Sequence, residues 1–222
     1  MQAIILAGGR GERMQPLTLT TPKPLVKLNG KALIEYTFEV LPESVTEVIV
    51  IVGYLGEQIK KYLRNTFAGR KITYIEQTEQ KGTFNAVKLA ESIIRDEFLV
   101  MFSDDIFKKE DIKKLLSYEH ALLVKQIENQ PGKFGHCEVN NGLLVGIVEK
   151  PMDIINPLAV CGPFKTNKEI FNEPTVYGKN NEEILSPMIG NMAKRIPINI
   201  VYASFWHPIA SPNDLFIPEV TN

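Results

Sequence analysis

The stretch that decides the fold is Leu6-Ala7-Gly8-Gly9-Arg10-Gly11-Glu12-Arg13-Met14-Gln15-Pro16-Leu17-Thr18, continuing to Thr21-Pro22-Lys23-Pro24-Leu25. It follows an apolar segment, Ala3–Leu6, that reads as a buried strand. A strand opening into a glycine-rich, basic loop is suited to phosphate. Gly8, Gly9 and Gly11 let the backbone approach a ligand and turn N–H groups toward it. Arg13 and Lys23 add charge for phosphate oxygens. From Gly8 to Lys31 the basic residues Arg10, Arg13, Lys23, Lys27 and Lys31 face a single acid, Glu12.

Two familiar phosphate motifs are excluded. A P-loop needs Gly-Lys-Ser/Thr, which does not occur, and a dinucleotide fingerprint needs a glycine where Met14 stands. The loop also does not enter a helix directly, because Pro16, Pro22 and Pro24 intervene before Ala32. A glycine turn with solvated basic residues is the plain alternative, and Arg13 with Lys23 in Pro-Lys-Pro-Leu argues against it.

Outward from the loop, strands and helices alternate. Strands are expected at Glu47–Val52, Lys71–Ile75, Phe98–Phe102 and Ala121–Ile127. Helices are expected at Ala32–Leu41, Glu57–Asn65, Asn85–Ile94 and Glu110–Ser117. This predicts an α/β fold, Rossmann-like, with a mostly parallel central sheet and helices on both faces. The second half reads as a β-rich lobe. Phe134–Val139 and Leu143–Glu149 flank a hairpin signal, Asn140-Asn141-Gly142. A helix over Glu182–Ala193, a strand at Ile198–Ala203 and a short helix within Pro212–Val220 complete it, with Lys165–Asn181 as the most loop-like stretch. No linker separates domains, so 1–222 is expected to be one domain, with 1–118 as a nucleotide-binding half and 119–222 as a sugar-phosphate-binding half.

Composition sets limits on function. The chain has 222 residues, 44% hydrophobic and 23% charged, with a net charge of -1. That is long enough to bury roughly 70% of the unfolded surface, and it carries no global basic field for nucleic acid. No window approaches the length of a membrane span, and Cys137 and Cys161 sit in no metal-type spacing. A cytoplasmic protein with two buried or half-buried thiols is the expectation.

The pattern Leu6-Ala7-Gly8-Gly9-x-Gly11-x-Arg13-Met14-x-Pro16-Leu17-Thr18…Pro22-Lys23-Pro24-Leu25 resembles the signature of the sugar-1-phosphate nucleotidyltransferases, or nucleotide-sugar pyrophosphorylases, in their short form without a C-terminal β-helix. The resemblance covers nearly the whole chain, strongest at Ala3–Leu25 and weakest after Asn156. It implies the nucleotidyltransferase fold, a Mg²⁺ requirement, and condensation of a nucleoside triphosphate with a sugar 1-phosphate. Arg13 and Lys23 would be catalytic, and Leu6, Ala7, Gly8, Gly9 and Gly11 would bind the nucleotide. Glu12 stands where many members have Thr, so it is expected to point outward.

Further motifs extend the reading. Gln77-x-x-x-x-Gly82-Thr83 offers an amide that can donate to and accept from a base edge, beside a glycine permitting close approach; a solvated Gln with Thr83 as a helix cap is the alternative. The resemblance assigns Gln77, Gly82 and Thr83 to the nucleotide. Phe84 departs from the family's Ala and would reshape the base pocket or shift the helix start. Ser103-Asp104-Asp105 ends the strand Phe98–Phe102, where open α/β sheets bind ligands. Either Asp can cap the next segment; Asp104 matches the family's metal-holding Asp. Gly135, Glu149 and Lys150 match elements that meet the sugar phosphate, although a lone Glu-Lys-Pro also suits a surface strand end. Phe164 stands where Tyr is common, removing a hydroxyl.

The chief departure is Trp206-His207-Pro208-Ile209-Ala210-Ser211-Pro212, which resembles the family's Trp-x-Asp-x-Gly-Thr-Pro. Pro208 replaces the second metal-binding Asp, and Leu185-Ser186-Pro187 stands where many members have Leu-Thr-Asp and some short members Leu-Ala-Pro. His207 and Asp214 lie nearby as substitutes, with His207 read first as a half-buried, hydrogen-bonded residue. Pro208 raises an alternative, a catalytically degenerate nucleotide-binding or regulatory protein. A phosphorylcholine-type cytidylyltransferase is a third option. The base, the sugar and the oligomeric state are left open.

Overall fold

A computed structural model describes residues 1–128, 130–153 and 156–216. In chain order the elements are β1 (Gln2–Ala7), β2 (Lys27–Leu28), β3 (Lys31–Ala32), α1 (Leu33–Val40), β4 (Glu47–Val52), α2 (Gly56–Leu63), β5 (Thr66–Phe67), β6 (Arg70–Glu76) and α3 (Thr83–Lys88). They continue with β7 (Phe98–Phe102), β8 (Asp105–Phe107), α4 (Lys109–Leu116), β9 (Ala121–Gln126), β10 (His136–Asn140), β11 (Leu143–Val148), β12 (Leu158–Thr166), α5 (Leu185–Met192), β13 (Asn199–Tyr202) and β14 (Trp206–Pro208).

Among the described residues, ten strands form one sheet in the order β10-β11-β13-β9-β12-β7-β1-β4-β6-β5. The block β7-β1-β4-β6 is parallel. Its centre, β1, is buried at all six positions, as befits a strand covered on both faces. Side chains alternate sides. Ala3, Ile5 and Ala7 join the α1, α2 and α4 face with Phe38, Ile59 and Leu115. Ile4 and Leu6 join the α3 and α5 face with Val87, Met188 and Met192. Helices therefore cover both faces. α2 shows how pattern gives orientation, since Ile59 and Leu63, four apart, are buried while Glu57 and Lys61 face solvent.

The expectation of a mostly parallel sheet is corrected: the sheet is mixed. β5–β6, β10–β11 and β11–β13 are antiparallel, and β12 pairs antiparallel with both β7 and β9, joining the two halves of the chain into one sheet. β12 carries Cys161-Gly162-Pro163, a combination that reads as a strand breaker. The strand survives it through an irregularity between Val160 and Phe164, with Gly162 at φ 112°. The hairpin is as expected. Asn141 and Gly142 have φ 49° and 78°, the two positive values of a type I′ turn between β10 and β11. The helix expected over Asn85–Ile94 is a shorter α3 followed by turns. The one expected within Pro212–Val220 begins as a 3₁₀ turn at Pro212–Leu215, and its last four positions lie outside the described residues.

Cys137 and Cys161 are both free and buried, and burial pushes the Cys137 thiol up to about 12. Among the described residues no helix is long and apolar enough to cross a membrane.

Candidate active site

The loops after β1, β4, β6 and β7 leave from the same edge of the parallel block, because Ala7 is level with Val52, Val52 with Glu76, and Leu6 with Phe102. Ligands gather at this edge in open α/β sheets. A cleft of ≈ 1030 Å³ opens there, at the upper end of small-molecule sites and roomy enough for a nucleotide and a second substrate. Every residue expected from sequence lines it: Leu6, Ala7, Gly8, Gly9, Gly11, Arg13, Lys23, Gln77, Gly82, Thr83, Asp104, Gly135, Glu149 and Lys150.

The glycine loop is pinned at several points. The Gly8 carbonyl accepts hydrogen bonds from Tyr54 N (3.1 Å) and Gln80 Nε2 (3.2 Å). The Gly11 carbonyl accepts from Met14 N and Thr18 Oγ1, both at 2.8 Å. Met14 is fully buried in a small core with Leu28, Leu33 and Ile209, so the proline-rich segment is a packed cover. Gly11 adopts φ 62°, and a Cβ on it would sit 3.0 Å from Lys23 Cβ. That close approach aims Lys23 along the cleft wall, where its Nζ forms an ion pair with Asp104 Oδ2. Arg13 is exposed, as is Glu12, which borders the cleft mouth as well.

Asp104 and Asp105 stand side by side past the end of β7. Ser103, buried between them and β1, donates its Oγ to the Leu6 carbonyl (2.9 Å). Burial, with the Asp104 charge behind it, pushes the Asp105 carboxyl well above the usual range, against the pull of the Trp206 indole and Lys23. Trp206 Nε1 donates to Asp105 Oδ2 (3.3 Å), and its ring meets Phe134 edge-on at 4.9 Å.

On the α3 side, Gln77 Nε2 donates to the Gly82 carbonyl (3.1 Å) and to Asn85 Oδ1 (3.3 Å). Gly82 has φ 101°. It lies under the segment leading into α5: Glu183 N donates to Lys81 O (2.7 Å), Phe84 N to Glu183 O (2.9 Å) and Leu185 N to Thr83 Oγ1 (3.0 Å). Thr83 thus caps the incoming segment rather than its own helix. At the far wall Ser186 Oγ donates to Glu149 Oε2 (2.5 Å), and Lys150 Nζ lies 3.5 Å from Glu149 Oε1. Gly135 presses on the same carboxylate, since a Cβ there would be 3.0 Å from Glu149 Oε2.

Residues 2–196 match the protein-family model described as Nucleotidyl transferase. The chain belongs to the nucleotidyl transferase family. It is 33% identical over 219 residues to the bifunctional protein GlmU of Methanocaldococcus jannaschii, a match covering 97% of this chain and 52% of that protein. The chain spans about half the length of the GlmU proteins it matches. A D-glycero-alpha-D-manno-heptose 1-phosphate guanylyltransferase of Campylobacter jejuni is 30% identical over 218 residues, with 97% of each chain covered. Among solved structures, the inositol-1-phosphate CTP transferase of T. maritima superposes with a TM-score of 0.80 at 22% identity, covering 97% of this chain and 91% of that one; this likeness shows the fold.

Within this member of the family, several sequence departures fall away from the cleft. Phe84 is buried in the α3 core and Phe164 in the sheet core; neither lines the cleft, so neither reshapes it by contact. His207 is half-buried, its Nε2 bonded to the Asp214 carbonyl at 2.7 Å. The Asp214 carboxylate caps the next turn, accepting from Ala210 N, Ser211 N and Ser211 Oγ. Burial raises its pKa, and those bonds outweigh it to leave a net lowering. Both residues line an adjoining cavity of ≈ 270 Å³ that shares Lys133, Phe134, Trp206 and Pro208 with the cleft. Gln80, Lys133, Asn180 and Glu182 line the main cleft without having been singled out in the sequence. Gln80 was within reach, inside the Gln77–Gly82 window; the others lie in loops whose approach depends on how the sheet closes.

Proposed function

We propose that the chain transfers a nucleotidyl group from a nucleoside triphosphate to a sugar 1-phosphate, giving a nucleotide-sugar and pyrophosphate. The observation that carries this reading is the convergence of the glycine loop, Lys23, Asp104 and the Glu149–Lys150 pair on one cleft. In this reading residues 1–118 serve the nucleotide and residues 119–222 the sugar phosphate, within one domain working in the cytoplasm.

A phosphate oxygen of the sugar phosphate attacks the α-phosphorus in line, and the bond to the β-phosphate oxygen breaks as pyrophosphate leaves. The protein's part is positioning and charge stabilisation. Gly8, Gly9 and Gly11 bring backbone N–H groups to the phosphates, with Leu6 and Ala7 beneath. Gln77, Gly82 and Thr83 border the base. Arg13 steadies the departing pyrophosphate, and Lys23 reaches the α-phosphate and the attacking phosphate once released from Asp104. Glu149, held by Ser186, and Lys150 take the sugar phosphate beside Gly135.

The family works with Mg²⁺, and the donor set fits it. Mg²⁺ takes one or two carboxylates and completes its shell with substrate phosphates and water. Asp104 and Asp105 offer hard oxygens on the cleft wall with one lysine against two acids. Among the described residues no group of three or more His, Cys, Asp or Glu could hold a metal; a two-carboxylate site would complete its shell with water and, once substrate is bound, with phosphate oxygens. Asp104 would hold the ion, which when bound offsets charge developing on the phosphates.

The test is pyrophosphate release with each nucleoside triphosphate against a panel of sugar 1-phosphates, with CTP and phosphocholine included. Release with at least one sugar 1-phosphate is expected. Nucleotide binding with no release from any pair would favour the degenerate reading that Pro208 raises, and release with phosphocholine alone would reassign the acceptor.

A further inference from the structure

We infer that Asp105 supplies the second protein carboxylate of the cation site, in place of the side chain that Pro208 lacks; this rests on the nucleotidyl-transfer reading above. The register of two short strands carries it. β14 runs antiparallel to β8, with Pro208 directly opposite Asp105 and Trp206 opposite Phe107. Directly opposed residues of an antiparallel pair project their side chains from the same face, with Cβ atoms only about 4.5–5.5 Å apart. A carboxylate on Asp105 therefore reaches the space that a carboxylate at position 208 would occupy. The chain loses an acid from one strand at the point where the facing strand carries one.

Three further observations agree. Asp105 and Pro208 line the same cleft as Asp104 and Lys23. The Asp105 carboxylate is oriented by the Trp206 indole at 3.3 Å, the kind of outer contact that fixes a ligand carboxylate. The other two substitutes are engaged elsewhere. His207 Nε2 is bonded to the Asp214 carbonyl, the Asp214 carboxylate caps Ser211, and both face the smaller cavity rather than the cleft.

Mn²⁺ alone, titrated into the intact protein and followed by the EPR signal of free Mn²⁺, tests the assignment. Wild type is expected to bind one Mn²⁺ per chain. Asp104→Asn and Asp105→Asn should each weaken binding at least about tenfold, since loss of even an outer-shell partner costs about 10–100-fold. Asn at position 105 still accepts the indole N–H, so support of Trp206 is retained. The double variant Asp105→Asn/Pro208→Asp should recover most of the lost affinity, because the carboxylate returns from the facing strand. Emission from Trp206, the sole tryptophan, checks that each variant is folded.

Asp105→Asn binding Mn²⁺ like wild type while Asp104→Asn does not would overturn this inference and leave the nucleotidyl-transfer reading standing. Loss without recovery in a folded double variant would overturn it too, giving Asp105 only a supporting role toward Trp206. If Pro208→Asp prevents folding, the Asp105→Asn titration alone decides. No Mn²⁺ bound by wild type would overturn the inference, while pyrophosphate release decides the nucleotidyl-transfer reading by itself.

Discussion

Lys23→Met is expected to lower kcat for pyrophosphate release by about 10²–10³-fold, the usual cost of removing one donor aimed at developing charge. Lys23 emerges from a turn fixed by Pro22 and Pro24, packed so closely on Gly11 that a Cβ on that glycine would stand 3.0 Å from Lys23 Cβ. Its ammonium pairs with Asp104, the two side chains being 13% and 24% exposed. Both side chains are mostly buried, so Lys23→Met leaves the Asp104 carboxylate without its counter-charge beside Asp105, and a stability loss of about 1–3 kcal/mol is expected as well. A fall in kcat far larger than the fall in folded fraction at the assay temperature is therefore the signature. Lys23→Arg should recover part of the rate, since charge is kept while the planar fork replaces a compact ammonium. Steady-state pyrophosphate release and calorimetry on the same preparations check this. A Lys23→Met protein within a few-fold of wild type would remove Lys23 from the chemistry.

Gly82→Ala is expected to destabilise the fold by about 3 kcal/mol or more, lowering the urea midpoint by roughly 1 M or more. At φ 101° and ψ 178° the backbone lies where only glycine is at ease. An added Cβ would also stand 2.3 Å from the Glu183 carbonyl oxygen and 2.7 Å from Glu183 N. Those are backbone atoms tied to Lys81 and Phe84 by hydrogen bonds, so they cannot swing aside like a side-chain tip. Moving them shifts Ile184, Leu185 and Ser186, all on the cleft wall, and with Ser186 the support of Glu149. Binding of the sugar phosphate should therefore suffer as well as stability. Gly9→Ala is the control: a Cβ there meets nothing within 4 Å, and stability should stay within about 0.5 kcal/mol. Equal effects at the two glycines would show that the Gly82–Glu183 contact carries no such load.

The parallel block was readable because its strands are short apolar runs bounded by glycine and helical patterns. Glu47–Val52 and Phe98–Phe102 fall where periodicity puts them. β12 was not readable, because Gly162-Pro163 speaks for a break and only pairing on both sides overrides it. For the same reason the antiparallel pairings that β12 makes were not legible, whereas the β10–β11 hairpin was, through Asn140-Asn141-Gly142. The residues expected at the site do line one cleft, since each sits at a strand end or in a loop tied to one. What local sequence could not supply was facing. Phe84 and Phe164 looked like pocket residues and are core residues, because a side chain's direction depends on the register of the whole element. His207 and Asp214 are close to Pro208 in sequence and belong to another cavity. Asp105 is 103 positions away from Pro208 and faces it, a relation that exists only once β8 and β14 pair.

The central claim is that this cleft joins a nucleotide to a sugar phosphate. ³¹P NMR of the protein with Mg²⁺, a nucleoside triphosphate and a sugar 1-phosphate tests it most directly. The account predicts the paired resonances of a nucleoside diphosphate-sugar together with pyrophosphate in equal amount, appearing only when both substrates are present. Unchanged substrate spectra for every pair, or conversion of the triphosphate to diphosphate and orthophosphate without the sugar phosphate, would contradict it.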